Sequence, residues 1–310
     1  MNNKKLPGFV LVLCVTAIAL LFGMSFVFSS ICLRQLQPAE LLAVRWIIPP
    51  IIIGLCALFR LIKIDYRGKP LRPLLLLVLF EPVLYSICET WGIKLTTASE
   101  SSIFVAAIPL AVVVLEAVIL KKKPGRLAAA GVAVGFLGVV CCIALAPGSA
   151  TSGKALGYVL LILTMLAGAG YNLIGSNVSR FYSPWEMTFA MSIGGAVFFN
   201  IQNLVSGNGL HAYAVLLGGG TVTFAVLFLG AGCGFLAYLL YNTALAALPA
   251  AVAACVITNA INVVGVVSGI VITGDPWGGY TVVGVLLTIV GIVLAALAGK
   301  APSAAADGAK

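Results

Sequence analysis

The chain has 310 residues, of which 62% are hydrophobic and 9% charged, with a formal net charge of +9. A soluble domain carries about 45–50% apolar and about 25% charged residues, so composition excludes a water-facing globule. The basic excess does not mark a nucleic-acid binder, because it sits mainly in short segments between apolar runs.

A membrane-spanning helix needs about 20 mostly apolar residues. Ten such runs occur in order: 8–33, 39–59, 73–94, 98–120, 127–146, 155–178, 185–206, 221–244, 248–272 and 278–298. All are apolar on every side, unlike the roughly ten-residue alternating segments of a membrane barrel. An all-α membrane protein of ten transmembrane helices is the expectation. Lys4 and Lys5 precede the first run, which exceeds the roughly 7–15 residues of a signal-peptide core and is expected to stay in the mature chain. With the N-terminus inside, fourteen of the eighteen Lys and Arg residues fall in cytoplasmic segments, Arg34, Lys94 and Lys154 fall outside, and Arg45 lies within the second run. The positive-inside rule then puts both termini in the cytoplasm of a cell-membrane protein.

Charged residues within spans are costly and usually face a cavity or a partner. Arg45, roughly 10 Å deep at about 1.5 Å per residue, is expected to serve structure by pairing with a carboxylate or capping carbonyls. In the third run Glu81, Tyr85 and Glu89 stand four residues apart and share one helix face. Stripped of water, one of these glutamates would exchange a proton or bind a cationic group; the competing reading is a fixed pair with Arg45. Glu100 follows Thr97 at capping-box spacing. Pro109 is expected to kink the fourth helix and shape a cavity wall, and Glu116 to partner Lys121 at the membrane edge.

Further on, polar residues recur at helical spacing: Tyr171 and Asn172, then Tyr238, Tyr241 and Asn242, then Thr258, Asn259 and Asn262. Such faces can hydrogen-bond a zwitterionic or amide-bearing solute, and they can equally bind helices together. Trp46, Trp185, Trp277 and Tyr280 lie near run ends and read as interfacial anchors. Gly131, Gly135 and Gly138 suggest close helix packing. The eight cysteines (14, 32, 56, 88, 141, 142, 233 and 255) show no CxxC spacing and read as small buried hydrophobes, with no metal or cofactor expected.

The halves resemble each other. At an offset of 146, Ser30, Arg34, Pro38 and Glu40 meet Ser176, Arg180, Pro184 and Glu186; farther on, Leu95 meets Leu245, Pro124 meets Pro276, Gly131 meets Gly284 and Gly138 meets Gly291. Units of five helices, residues 1–150 and 151–298, cross an odd number of times, so the second must be inverted. Secondary transporters are often built this way, with the site at the repeat interface. The tail 299–310 is expected to be disordered and cytoplasmic.

On these residues the chain resembles the drug/metabolite transporter superfamily, in its EamA-like ten-helix branch. The likeness rests on Phe22-Gly23-Met24-Ser25-Phe26, Pro38 with Arg45, Thr97-Ala98-Ser99 leading to Ile108-Pro109-Leu110, Tyr238, Tyr241 and Ala244-Leu245 before 250–254, and Gly284 with Gly291. It departs from the family at Lys121-Lys122-Lys123-Pro124 and Gly274-Asp275-Pro276, where Gly-Glu is frequent, and at Asn259, where many members have proline. The resemblance implies a central cavity between spans one, three, four, six, eight and nine. It implies transport, usually export, of amino acids or other small metabolites. The expected solute contacts are Ser25, Glu81, Tyr85, Glu89, Tyr171, Asn172, Tyr238, Tyr241, Asn259 and Asn262. The expected partners are a small-molecule solute, membrane lipids and a coupling proton, with no nucleic acid. With no HExxH or GxSxG motif and a single histidine, His211, an intramembrane enzyme lacks parts.

Overall fold

The computed structural model describes residues 8–119, 121, 125–145, 152–247 and 250–298. Lys4, Lys5, Lys122, Lys123, Pro124, Lys300, Lys310 and the rest of the tail 299–310 lie outside the described residues, as do the side chains of Asn259 and Cys255. Among the described residues the regular elements are all helical. The principal helices are α1 (Gly8–Cys32), α2 (Pro38–Leu58), α3 (Leu71–Leu95), α4 (Ala98–Ile119), α5 (Arg126–Ala144), α6 (Ser152–Val178), α7 (Pro184–Val205), α8 (Gly220–Ala246), α9 (Ala250–Ser268) and α10 (Gly279–Ala298). A short helix, His211–Leu217, leads into α8, and α9 continues as a wide turn to Thr273. Seven of these, α1–α4 and α6–α8, are long and apolar enough to cross a membrane, while α5, α9 and α10 are shorter apolar helices over their described residues.

The polar residues shared between the halves terminate matching helices. Gln37 N–H donates to Glu40 Oε2 at 2.7 Å at the start of α2, and Ser183 N–H donates to Glu186 Oε2 at 2.8 Å at the start of α7. Pro38 and Pro184 occupy the first turn, where a missing N–H costs nothing. Each capping glutamate also holds the segment leading into a more distant helix. Glu40 Oε1 lies 2.8 Å from His211 Nδ1 ahead of α8, and Glu186 takes Lys69 Nζ at 2.7 Å and the Asp65 N–H at 3.0 Å ahead of α3.

Helix pairing is unchanged when the halves are exchanged. α5 packs on α10, α2 on α7 and α4 on α9; α3 on α6 corresponds to α8 on α1, and α1 on α9 to α6 on α4. Close approach between α5 and α10 requires glycine: a Cβ on Gly138 would lie 2.6 Å from the Gly284 carbonyl oxygen and from the Thr288 nitrogen, and one on Gly291 would lie 2.6 Å from the Gly131 oxygen.

α3, α8 and α4 are interrupted within their length. In α3, Glu81 adopts φ −139° and ψ 115° inside a wide turn, Leu79–Leu84, because the residue before a proline, here Pro82, is driven out of the helical region. α8 has a wide turn in the matching place, Phe228–Ala237. Its Gly230 and Gly234 sit so close to α2 that added Cβ atoms would lie 2.6 Å from Ile48 Cδ1 and Pro49 Cγ. α4 breaks at Ala107, between Ala98–Ala106 and Ile108–Ile119, since Pro109 offers no N–H to the carbonyl four residues back.

Two sequence expectations are corrected. Trp46 is no interfacial anchor: it is fully buried, seated where a Cβ on Gly195 would touch its ring at 2.8 Å. The α7 backbone thus makes an indole-sized slot that an end-of-helix rule cannot foresee. Glu116 forms no ion pair with Lys121 among the described residues. Lys121 lies past the helix end with φ 53°, so it no longer follows the helical spacing on which a partnership with Glu116 depended. Trp185 lies tilted against Phe235, ring centroids 5.9 Å apart, Trp277 is exposed, and the seven described cysteines are unbridged.

Candidate functional site

The breaks in α3 and α4 and the wide turn in α8 lie around a narrow chamber. From the first half it is lined by Ser25 of α1, Arg45 of α2, and Glu81, Tyr85 and Glu89 of α3. From the second half come Tyr171 and Asn172 of α6 and Tyr238 and Tyr241 of α8. Val105 and Ile108, either side of the α4 break, form part of its wall, so Pro109 acts on the chamber through backbone geometry. Despite the interruption at Glu81, the α3 stripe stays on one face.

Two contacts dispose of the carboxylates. Arg45 Nη1 lies 3.7 Å from Glu89 Oε2, with both side chains nearly inaccessible; this is an ion pair without hydrogen-bond length. Glu81, 1% exposed, accepts a short hydrogen bond from the Tyr238 hydroxyl. That bond joins α3 to α8, the two helices whose wide turns correspond.

Tyr171 and Tyr241 are oriented by a network within the second half. Tyr171 Oη donates to Asn242 Oδ1 at 2.7 Å, and Asn242 Nδ2 donates to Thr188 Oγ1 at 3.0 Å. Tyr241 Oη donates to Asn172 Oδ1 at 2.8 Å, and Asn172 Nδ2 to the Gly168 carbonyl at 2.8 Å. Buried polar groups are expensive unless bonded, so these pairings fix the rings. Phe22 completes the aromatic wall, with its ring 5.0 Å from Tyr238 and 6.4 Å from Tyr241, both edge-on. The hydroxyls of Tyr171, Tyr238 and Tyr241 therefore give their protons to protein acceptors, and their ring faces and oxygen lone pairs are what a guest would meet.

Eight of the ten expected solute contacts line the chamber together. Asn262 is fully buried but is not among the lining residues, and neither amide atom has a hydrogen-bond partner among the described residues. Asn259's side chain lies outside the described residues. The sequence reading missed Phe22 as a wall residue and Asn242 as the support of Tyr171. Asn242, next to Tyr241 on an apolar helix, already carried the signal of a costly polar group in need of a partner. Glu100 is more than a cap: Thr97 Oγ1 accepts from the Glu100 N–H at 3.1 Å, and the carboxylate takes Lys154 Nζ and the Tyr158 hydroxyl, each at 2.9 Å.

A multi-pass all-helical protein with a polar chamber between its two halves belongs to the class of membrane transporters. The EamA-like transporter family model matches residues 9–144 and again 155–297, and the chain belongs to that family. It is 25% identical over 299 residues to "Uncharacterized transporter YcxC" of Bacillus subtilis, covering 94% of this chain and 93% of the relative. It is 25% identical over 224 residues to "Uncharacterized transporter YetK" of the same organism, covering 71% and 66%. A crystal structure titled only as that of a protein shares the fold at TM-score 0.68 with 16% identity, covering 93% of this chain and 97% of the other.

Proposed function

We propose that the chain is a secondary transporter that exports amino acids or other small polar metabolites by alternating access. In this reading ten transmembrane helices form two inverted five-helix repeats, residues 1–150 and 151–298, in the cell membrane with both termini cytoplasmic. Support for the repeats comes from the double family match, the exchange-symmetric helix pairing and the matched glutamate caps of α2 and α7. Five crossings per unit require the second unit to face the other way. The basic residues between the runs support the orientation.

The observation that carries the proposal is the chamber itself, with Glu81 and Glu89 of α3 buried in its wall. Carboxyl groups at such depth are expensive to keep, and in a carrier they hold a cationic group or a coupling proton while access changes sides. The Glu81–Tyr238 contact then acts as a latch between repeats. Solute translocation, not catalysis, is the activity this arrangement serves.

The test compares metabolites inside and outside cells with and without the protein, then measures flux of the solutes that differ in proteoliposomes of the purified chain. Accumulation outside expressing cells, reproduced as flux in vesicles, is the expected result. A chain that inserts and folds but moves no solute in either setting would overturn the proposal and leave a structural membrane protein in its place.

A further inference from the structure

The chamber contains one basic side chain whose hydrogen-bonding capacity is not fully used among the described residues. Arg45 lines the chamber and is 2% exposed, yet its Nε and Nη1 have no hydrogen-bond partner among the described residues. Its counter-ion Glu89 stands off at 3.7 Å, and Glu81 is engaged by Tyr238. A guanidinium presents five N–H donors in a rigid fork suited to a carboxylate. Leaving such donors unbonded in a buried site is among the costlier arrangements a fold can hold.

The backbone that carries this side chain is closely held. A Cβ on Gly230 would come within 3.0 Å of the Arg45 carbonyl oxygen, so α8 holds the α2 backbone at this residue. The next residue, Trp46, is fully buried, with its ring 5.7 Å from Tyr238. Arg45 is thus held against the helix that supplies the aromatic wall, with donors to spare.

We propose that Arg45 is a solute-binding residue that receives the carboxylate of a zwitterionic solute, whose ammonium group lies toward Glu81 and the faces of Tyr238 and Phe22. This rests on the transporter reading and narrows its solute class. Charge disfavours a bare carboxylate, and unmet hydrogen bonding at Arg45 disfavours a bare amine. With both glutamates ionised the chamber would hold two carboxylates and one guanidinium, so a bare carboxylate would add a third negative charge, while a bare amine leaves the unbonded arginine donors unused. A zwitterion satisfies the fork and gives the cation both a carboxylate and ring faces. Arg45 then sets specificity besides balancing Glu89.

The experiment uses the full chain in proteoliposomes with each of the twenty proteinogenic amino acids, its decarboxylated amine and its desamino acid. At least one amino acid is expected to move, with its amine and desamino acid at least about tenfold poorer in kcat/KM, the scale of one charge-assisted hydrogen bond. Arg45→Gln should raise KM for the amino acid by a similar factor and narrow the preference for amino acid over amine, and Arg45→Lys should restore part of that preference, whereas a purely structural role would lower both fluxes alike and leave the preference unchanged. Equal transport of parent and amine by the wild type, a comparison that needs no variant to fold, overturns the proposal, as does an equal loss of both in Arg45→Gln. If amines or other metabolites move and no amino acid does, the carboxylate site falls while the transporter reading stands. If no solute moves here or in the metabolite comparison, both fall.

Discussion

Replacing Gly138 by alanine tests the division of the fold into a scaffold and a chamber. The added methyl would lie 2.6 Å from both the Gly284 oxygen and the Thr288 nitrogen and 2.7 Å from Thr288 Oγ1, where ordinary contact begins at 3.4 Å. Two of the three obstructing atoms are backbone, so no rotamer change clears them, and α5 and α10 must part by several tenths of an ångström. Overpacking of this kind costs about 1–3 kcal/mol, roughly a 5- to 150-fold loss in the folding equilibrium. Thermal unfolding of the purified chain in detergent should show a clear drop in midpoint. Gly54→Ala is the matched control, because a Cβ there meets nothing within 4 Å and should leave the midpoint unchanged or slightly raised. No residue of α5 or α10 lines the chamber, so flux per folded molecule should survive Gly138→Ala. A wild-type midpoint for Gly138→Ala would refute the packing argument, and a stable, folded variant without flux would refute the separation of scaffold from chamber.

The two glutamate clamps should differ in strength. Glu186→Gln removes a buried carboxylate from Lys69, the Asp65 N–H and the Ser183 N–H, whereas the His211 partner of Glu40 is 57% exposed and solvent-screened; the Glu186 variant should melt lower, and the reverse order in parallel melts would contradict this. Tyr238→Phe keeps the ring and deletes the donor to Glu81, so transport should fall by about tenfold or more, the scale of a hydrogen bond to a charged group, with little change in melting; unaltered flux would remove the latch. Glu81→Gln and Glu89→Gln together probe proton coupling: in vesicle flux measured across external pH, at least one should lose the wild-type pH dependence, and wild-type rates and profiles in both would end the proton role.

The ten apolar runs fall within three residues of the observed helices at the edges that are described, counting the wide turn that continues α9 to Thr273, as in 39–59 against Pro38–Leu58 and 185–206 against Pro184–Val205. Burying backbone amides in lipid forces each crossing to satisfy its own hydrogen bonds, so length and hydropathy alone fix where a helix runs. The α3 stripe was legible for the same reason: spacing along one helix is a local property. Family membership was legible as well, because its motifs are short and ordered along the chain.

Contacts between remote segments were not legible. Trp46 has the composition of an anchor and becomes core because Gly195, on another helix, leaves room for it. Glu81 and Glu89 looked equivalent on α3, yet one meets Tyr238, 157 positions away, and the other faces Arg45. Whether an arginine is saturated by its carboxylate or keeps donors for a guest depends on a few tenths of an ångström between helices. Sequence decides which polar atoms enter the membrane; packing between the halves decides which of them find partners there, because hydrogen bonds are short and directional while hydropathy is neither.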